Sequence, residues 1–188
     1  MDKTPLYSIG HGNRSAAELL ELLQVYEIKY MVDVRSAPYS KYNPHFNKKA
    51  LEAFLKGNGI TYVFMGDTLG GRPEDRTCYT DDKVDYEKIK TKEFYKEGIG
   101  RLKTAYEKEI PLAMMCSESK PQDCHRSKLI GETLTENKIP LAHIDEKGAL
   151  KSQADVMLIV TKGRNTIDLF GQSTALTSRK KYKEDEED

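Results

Sequence analysis

Short apolar runs of strand length alternate along this chain with stretches whose apolar residues recur every three or four positions. Leu6–Ile9 reads as a first strand. Ser15-Ala-Ala-Glu18 has the form of a capping box, in which a hydroxyl and a carboxylate satisfy free amides at a helix start. Leu19, Leu20, Leu23 and Tyr26 follow at helical spacing. Tyr30–Val34 is a second strand, apolar nearly throughout, as a sheet covered on both faces requires. Asn47–Lys56 places Leu51, Phe54 and Leu55 on one helical face and stops at Gly57 and Gly59, which suit a left-handed cap. Ile60–Phe64 is a third strand.

Residues 66–91 show the least regular pattern, with Gly66, Gly70, Gly71, Pro73 and a charged run. Tyr95, Ile99, Leu102 and Tyr106 then mark a helix through Lys92–Lys108, with Gly98 and Gly100 weakening its middle. Pro111–Cys116 is a fourth strand, Cys124–Asn137 a helix capped by Asp123, and Leu141–Ile144 a fifth strand. Val156–Thr161, a Lys-Gly-Arg-Asn turn and Thr166–Phe170 look like a terminal strand pair. The alternation predicts a three-layer, Rossmann-like α/β domain over residues 1–176, with a mostly parallel sheet of five or more strands. A charged, disordered tail is expected from Thr177 to Asp188.

Composition narrows the class. A chain of 188 residues can bury roughly 70% of its unfolded surface, so it needs neither metal nor disulfide to fold. The longest apolar runs, Ala113–Cys116 and Val156–Val160, are far too short to span a membrane. The start MDKTPLYSIGHG lacks an apolar signal core, and three cysteines argue for reduced thiols; a cytoplasmic protein is expected. The charges cancel, 30 basic against 30 acidic, but Glu184 to Asp188 are all acidic, so the remainder carries +5. That tail either aids solubility or shields a basic face.

Ligands of open parallel sheets bind beyond the carboxyl ends of the strands, and polar residues follow four of the predicted strands. These are Gly10-His11-Gly12-Asn13-Arg14, Asp33-Val34-Arg35-Ser36, Leu69-Gly70-Gly71-Arg72, and Cys116-Ser117-Glu118 with Cys124-His125-Arg126. With Asp123 as cap, the amides of Cys124, His125 and Arg126 would face an anion. Arg126 in a first turn opposes the helix dipole by ~0.3–1 kcal/mol, a penalty that a bound phosphate or carboxylate, or a neighbouring acid, offsets. Asp33 and Arg35 share one face of a strand, as an ion pair or as a ligand-binding pair. His11, flanked by glycines that give it nothing to pack on, is a candidate for acid/base or hydrogen-bond duty. Gly70-Gly71-Arg72 is a turn or a close approach to a ligand. Tyrosines of Ala37–Phe46 either pack or stack on a base, and with 11 tyrosines and no tryptophan the packing reading weighs more.

Cysteine admits three readings. Cys124 at a helix start could be an activated nucleophile, with Cys116 as the other candidate. Cys116, Cys124, His125 and His11 could bind a metal, although no paired C-x-x-C exists. Both thiols could simply fill space. A cysteine-phosphatase loop fails, since Gln122 stands where the arginine belongs. The third glycine of G-x-G-x-x-G is missing, which disfavours a dinucleotide.

The ordered segments YSIGHGNR, VDVRSAPYSKYNPHFN, GITYVFMGDTLGGR and MMCSESKPQDCHRSKLIGETL resemble the family catalogued as domain of unknown function 488, from Tyr7 to Leu141. The family pattern falls on His11, Asp33, Arg35, Pro38, Ser40, Phe46, Leu69, Gly70, Gly71, Cys116, Glu118, Cys124, His125 and Arg126. Gly12-Asn13 stands where a serine or threonine is commoner. The resemblance implies an α/β domain with a polar site and supplies no reaction. The expectation is therefore an enzyme-like site, a hydrolase or transferase, for a phosphate-bearing small molecule or nucleic acid end. Arg35, Arg72, Arg126 and the amides of Cys124 and His125 would hold the anion, while His11, Asp33, Glu118, Cys116 and Cys124 would do the chemistry. A non-catalytic binding module and a Cys/His metal site are the alternatives. Cofactor and oligomeric state are unassigned.

Overall fold

Successive residues of one strand show why the sheet needs a helical layer on each face. In β6 (Leu112–Cys116), Leu112, Met114 and Cys116 enter one apolar cluster, while Ala113 and Met115 enter the other. Side chains alternate across a sheet, so every β6 residue is buried only if both faces are covered. The structure is a computed structural model that describes residues 3–163 and 176–182.

Among the described residues the sheet has six strands in the order β3 (Thr61–Phe64), β2 (Tyr30–Asp33), β6, β1 (Leu6–Gly10), β7 (Leu141–Ile144) and β8 (Leu150–Ser152). All its pairings are parallel except that of β8 with β7. One face carries α1 (Ala16–Val25) and α2 (Lys48–Gly57), which insert Leu19, Leu23, Leu51 and Leu55. The other carries α5 (Glu93–Glu107) with Tyr95, Ile99 and Leu102, and a helical stretch from Arg126 onward with Leu129, Ile130 and Leu134. This is the three-layer, mostly parallel α/β architecture that the hydrophobic pattern predicts.

The capping box forms as expected: Glu18 N–H donates to Ser15 Oγ at 3.2 Å, and Ser15 N–H to Glu18 Oε2 at 2.7 Å. Gly98 does not break α5. A β-carbon there would lie 2.7 Å from Leu69 Cδ2, so the missing side chain lets the helix approach α3 (Gly66–Leu69).

Four expectations are corrected. The irregular stretch 66–91 contains α3, a hairpin of β4 (Tyr79–Thr80) and β5 (Lys83–Asp85), and α4 (Tyr86–Lys90), which Asp85 caps. Val156–Thr161 is not a strand, because Gln153–Val160 form α7 behind a second capping box, Ser152 with Asp155. Disorder from Thr177 does not hold for Thr177–Lys181, which form β9 and pair antiparallel with β5. Asp123 does not cap a long helix. It ends a 3-10 turn, Pro121–Asp123, after which Arg126–Gly131 are π-helical and only Glu132–Glu136 (α6) are α-helical. Thr166–Phe170 and the acidic Glu184–Asp188 lie outside the described residues.

No helix among the described residues is long and apolar enough to cross a membrane.

Candidate functional site

Parallel register brings the carboxyl ends of three strands together. Gly10 lies opposite Cys116, and Asp33 opposite Met115. Beyond the strands the chains stay zipped, with His11 N–H donating to Cys116 O and Gly12 N–H to Ser117 O, both at 2.9 Å. A β-carbon on Gly10 would sit 1.7 Å from Glu118 O, so only glycine admits the loop after β6.

Asp33 and Arg35 form a closed pair. Arg35 Nε donates to Asp33 Oδ1 at 2.9 Å and Nη2 to Oδ2 at 2.6 Å, while Nη2 also reaches Phe46 O at 2.8 Å. Tyr62 O–H donates to Asp33 Oδ2 at 2.6 Å. Burial works against the Arg35 charge, yet the bonds and charge of Asp33 raise its pKa. Burial likewise pushes the Tyr62 hydroxyl up, aided by Asp33. Both Asp33 oxygens are committed, so this carboxylate orients Arg35.

Arg126 is buried, its exposure 0%. Nη1 donates to Glu118 O at 2.8 Å and Nη2 to Ser119 O at 3.1 Å. Those two carbonyls accept from the guanidinium at the start of the helical stretch. The amides do not form the expected cradle either: Cys124 N–H donates to Pro121 O, and Arg126 N–H points at Cys124 Sγ.

His11 is packed after all. Phe46, distant in sequence, stacks on its ring at 4.3 Å, and only 4% of the residue is exposed. Nδ1–H donates to Gly12 O at 3.0 Å, leaving Nε2 as a buried acceptor without a partner among the described residues. Burial lowers its pKa to about 4, against the pull of that carbonyl, so the ring is neutral at physiological pH. It lines a cavity of about 380 Å³ with Asn13, Tyr39, Ser40, Asn43 and Ser117.

A second pocket, about 240 Å³, opens beside it and shares Ser117. Its walls include Arg35, Arg72, Arg179 and Lys180 against Glu118 and Asp123, and its floor includes Cys116 and His125. Arg72 lies over the Tyr182 ring, 4.7 Å from its centroid. Sequence reasoning missed Ser178, Arg179, Lys180 and Tyr182, which β9 and the residue after it contribute. The polar run Thr177–Lys181 has no apolar alternation to announce a strand.

The floor is a thiol–imidazole cluster. His125 Nε2–H donates to Leu69 O at 3.1 Å, which turns Nδ1 toward Cys124 Sγ at 3.6 Å and Cys116 Sγ at 3.7 Å. Cys116 Sγ is 3.0 Å from Glu118 Oε2. Burial raises the Cys124 thiol, but the hydrogen bond with Cys116 and the nearby His125 and Arg126 outweigh it and hold Cys124 well below the ordinary thiol range. Cys116 moves the other way, through the same bond, burial and the charges of Cys124 and Glu118.

Of the expected site residues, Arg35, Arg72, Cys116, Glu118 and His125 meet at this pocket and His11 at its neighbour. Asp33 and Arg126 sit behind the walls as supports. Cys124 is buried beneath the floor.

The family model described as "Domain of unknown function DUF488" matches residues 15–132, more than half of the chain. No curated protein and no solved structure matches.

Proposed function

The chain belongs to the DUF488 family, whose description carries no reaction, and we propose from the geometry that it is an enzyme acting on a phosphate-bearing compound, a nucleotide or nucleic acid end by class. The observation that carries this reading is that Arg35, Arg72, Arg179 and Lys180 line one pocket with Glu118 and Asp123, Arg35 being held by Asp33 behind the wall and Arg179 lying 3.7 Å from Asp123. Guanidinium groups match phosphate oxygens in planar, paired geometry, and the pocket lies where parallel sheets bind ligands. Arg35 is pre-oriented by Asp33, so its alignment costs little on binding.

The adjoining cavity takes the uncharged part of the ligand. Neutral His11 Nε2 accepts a hydrogen bond there from a hydroxyl or amine, beside Ser40, Asn43 and Ser117. Glu118 faces the phosphate pocket and is the proton-transfer group of this reading, hydrolysis or group transfer being the class of step it serves.

Titration calorimetry of AMP, inorganic phosphate and adenosine into the native chain tests the reading. AMP saturates a single site, adenosine binds at least tenfold more weakly, and Arg72→Ala or Arg179→Ala weakens AMP by roughly tenfold or more, the worth of a charge-assisted hydrogen bond. Equal affinity for AMP and adenosine overturns it. So does a preference for long oligonucleotides that falls log-linearly with salt, which is the signature of a polyanion-binding module.

A further inference from the structure

We propose that Cys116, Cys124 and His125 bind one divalent late first-row metal ion, Zn2+ by ligand class, with the fourth coordination position facing the pocket. Their three ligand atoms lie within 4.8 Å of one another, and all three residues are buried. The two sulfur–nitrogen separations are 3.6 and 3.7 Å. Metal–sulfur bonds of about 2.3 Å and a metal–nitrogen bond of about 2.0 Å at a tetrahedral angle set that separation at about 3.5 Å. Both sulfur–nitrogen edges therefore match those of a tetrahedral site.

Two further features fit a metal ligand set better than space-filling. His125 donates its other ring N–H to the Leu69 carbonyl, the supporting bond that fixes tautomer and orientation in metal-ligating histidines. Two thiolates with one imidazole favour zinc over magnesium or calcium.

Cys116 and His125 both line the pocket, so the fourth position is reached from it, and Glu118 Oε2, 3.0 Å from Cys116 Sγ, stands at its edge. Three protein ligands with one open position are the arrangement of catalytic zinc, where a bound water or substrate oxygen is polarised. The inference does not rest on the phosphate reading: the cluster holds the ion whatever the pocket binds.

The test is Co2+ titration of the reduced, chelator-treated native chain, followed by visible and near-ultraviolet absorption. One equivalent produces thiolate-to-cobalt charge-transfer bands and the intense visible bands of tetrahedral cobalt, and Zn2+ bleaches both. Cys116→Ser and Cys124→Ser weaken binding by more than the roughly 10–100-fold that losing a supporting bond costs. Cys78→Ser, a buried thiol outside the cluster, changes nothing. No charge-transfer band in the native chain overturns the proposal, as does a band that survives both cluster substitutions. Should the variants fail to fold, zinc K-edge absorption on the native chain decides. Two sulfurs at about 2.3 Å and a nitrogen at about 2.0 Å support the site, and a shell of oxygen alone refutes it.

Discussion

Asp33 and Arg35 show how far a single spacing reaches. Two residues apart on a strand predicts a shared face, and the structure turns that face into a closed pair with Tyr62 behind it. Asp33→Asn leaves a buried guanidinium without its counter-charge and is expected to cost about 3–5 kcal/mol of stability. Urea unfolding measures it, and a loss below about 1 kcal/mol contradicts the assignment. His11 and Arg126 were less legible. Flanking glycines suggest an unpacked imidazole, but packing is a property of space, and Phe46 arrives from another loop. Arg126 suggests an anion because a cation opposes the helix dipole, yet two loop carbonyls serve equally well, and no local pattern announces them. Arg126→Met should strand those carbonyls and loosen the Glu118 loop. The expected loss is about 2–4 kcal/mol, one to two unsatisfied groups, together with weaker AMP binding.

At the scale of elements, strands and long helices were readable because their periodicity is strong, and the second capping box shows what was overlooked. The apolar run at 156–160 fits a buried helix as well as a strand, and only Ser152 and Asp155, one turn earlier, separate the two. Ser152→Ala should therefore lower stability by about 0.5–2 kcal/mol. For a chain of this size that is a fall of about 2–4 °C in Tm per kcal/mol; an unchanged Tm argues against the cap. The π-helical stretch Arg126–Gly131 has no such signature. Ser127 Oγ bonds to Pro121 O at 2.6 Å, a tertiary tie that helical spacing does not encode. β9 was hidden for the opposite reason: its residues are polar and it exists by pairing with β5.

Across the whole molecule, the order of polar segments after successive strands foretold a common rim, because parallel topology gathers carboxyl ends on one side. What topology could not supply was the division of that rim into two pockets, or the return of the chain at 177–182 to complete one of them. Global stability carries a pH signature from the far side of β1. His143 is buried between Ser8, at 2.6 Å from Nδ1, and Gln153 Oε1, at 2.7 Å from Nε2. Gln153 Nε2 donates to Ser127 O and Glu132 Oε1, so its oxygen must face the imidazole, which is neutral. Burial lowers the His143 pKa to about 4 from an ordinary 6.5. Between those values the unfolded chain binds the extra proton, so this stabilisation is complete above pH 6.5 and is lost as pH falls toward 4. His143→Gln should flatten the dependence of unfolding free energy on pH within that window; an unaltered slope contradicts a buried neutral imidazole.

The most direct test of the account is a crystal structure grown with AMP. The phosphate is expected against at least two of Arg35, Arg72, Arg179 and Lys180, with the nucleoside directed toward His11. Phosphate density elsewhere on the surface, or an empty pocket at saturating AMP, contradicts it.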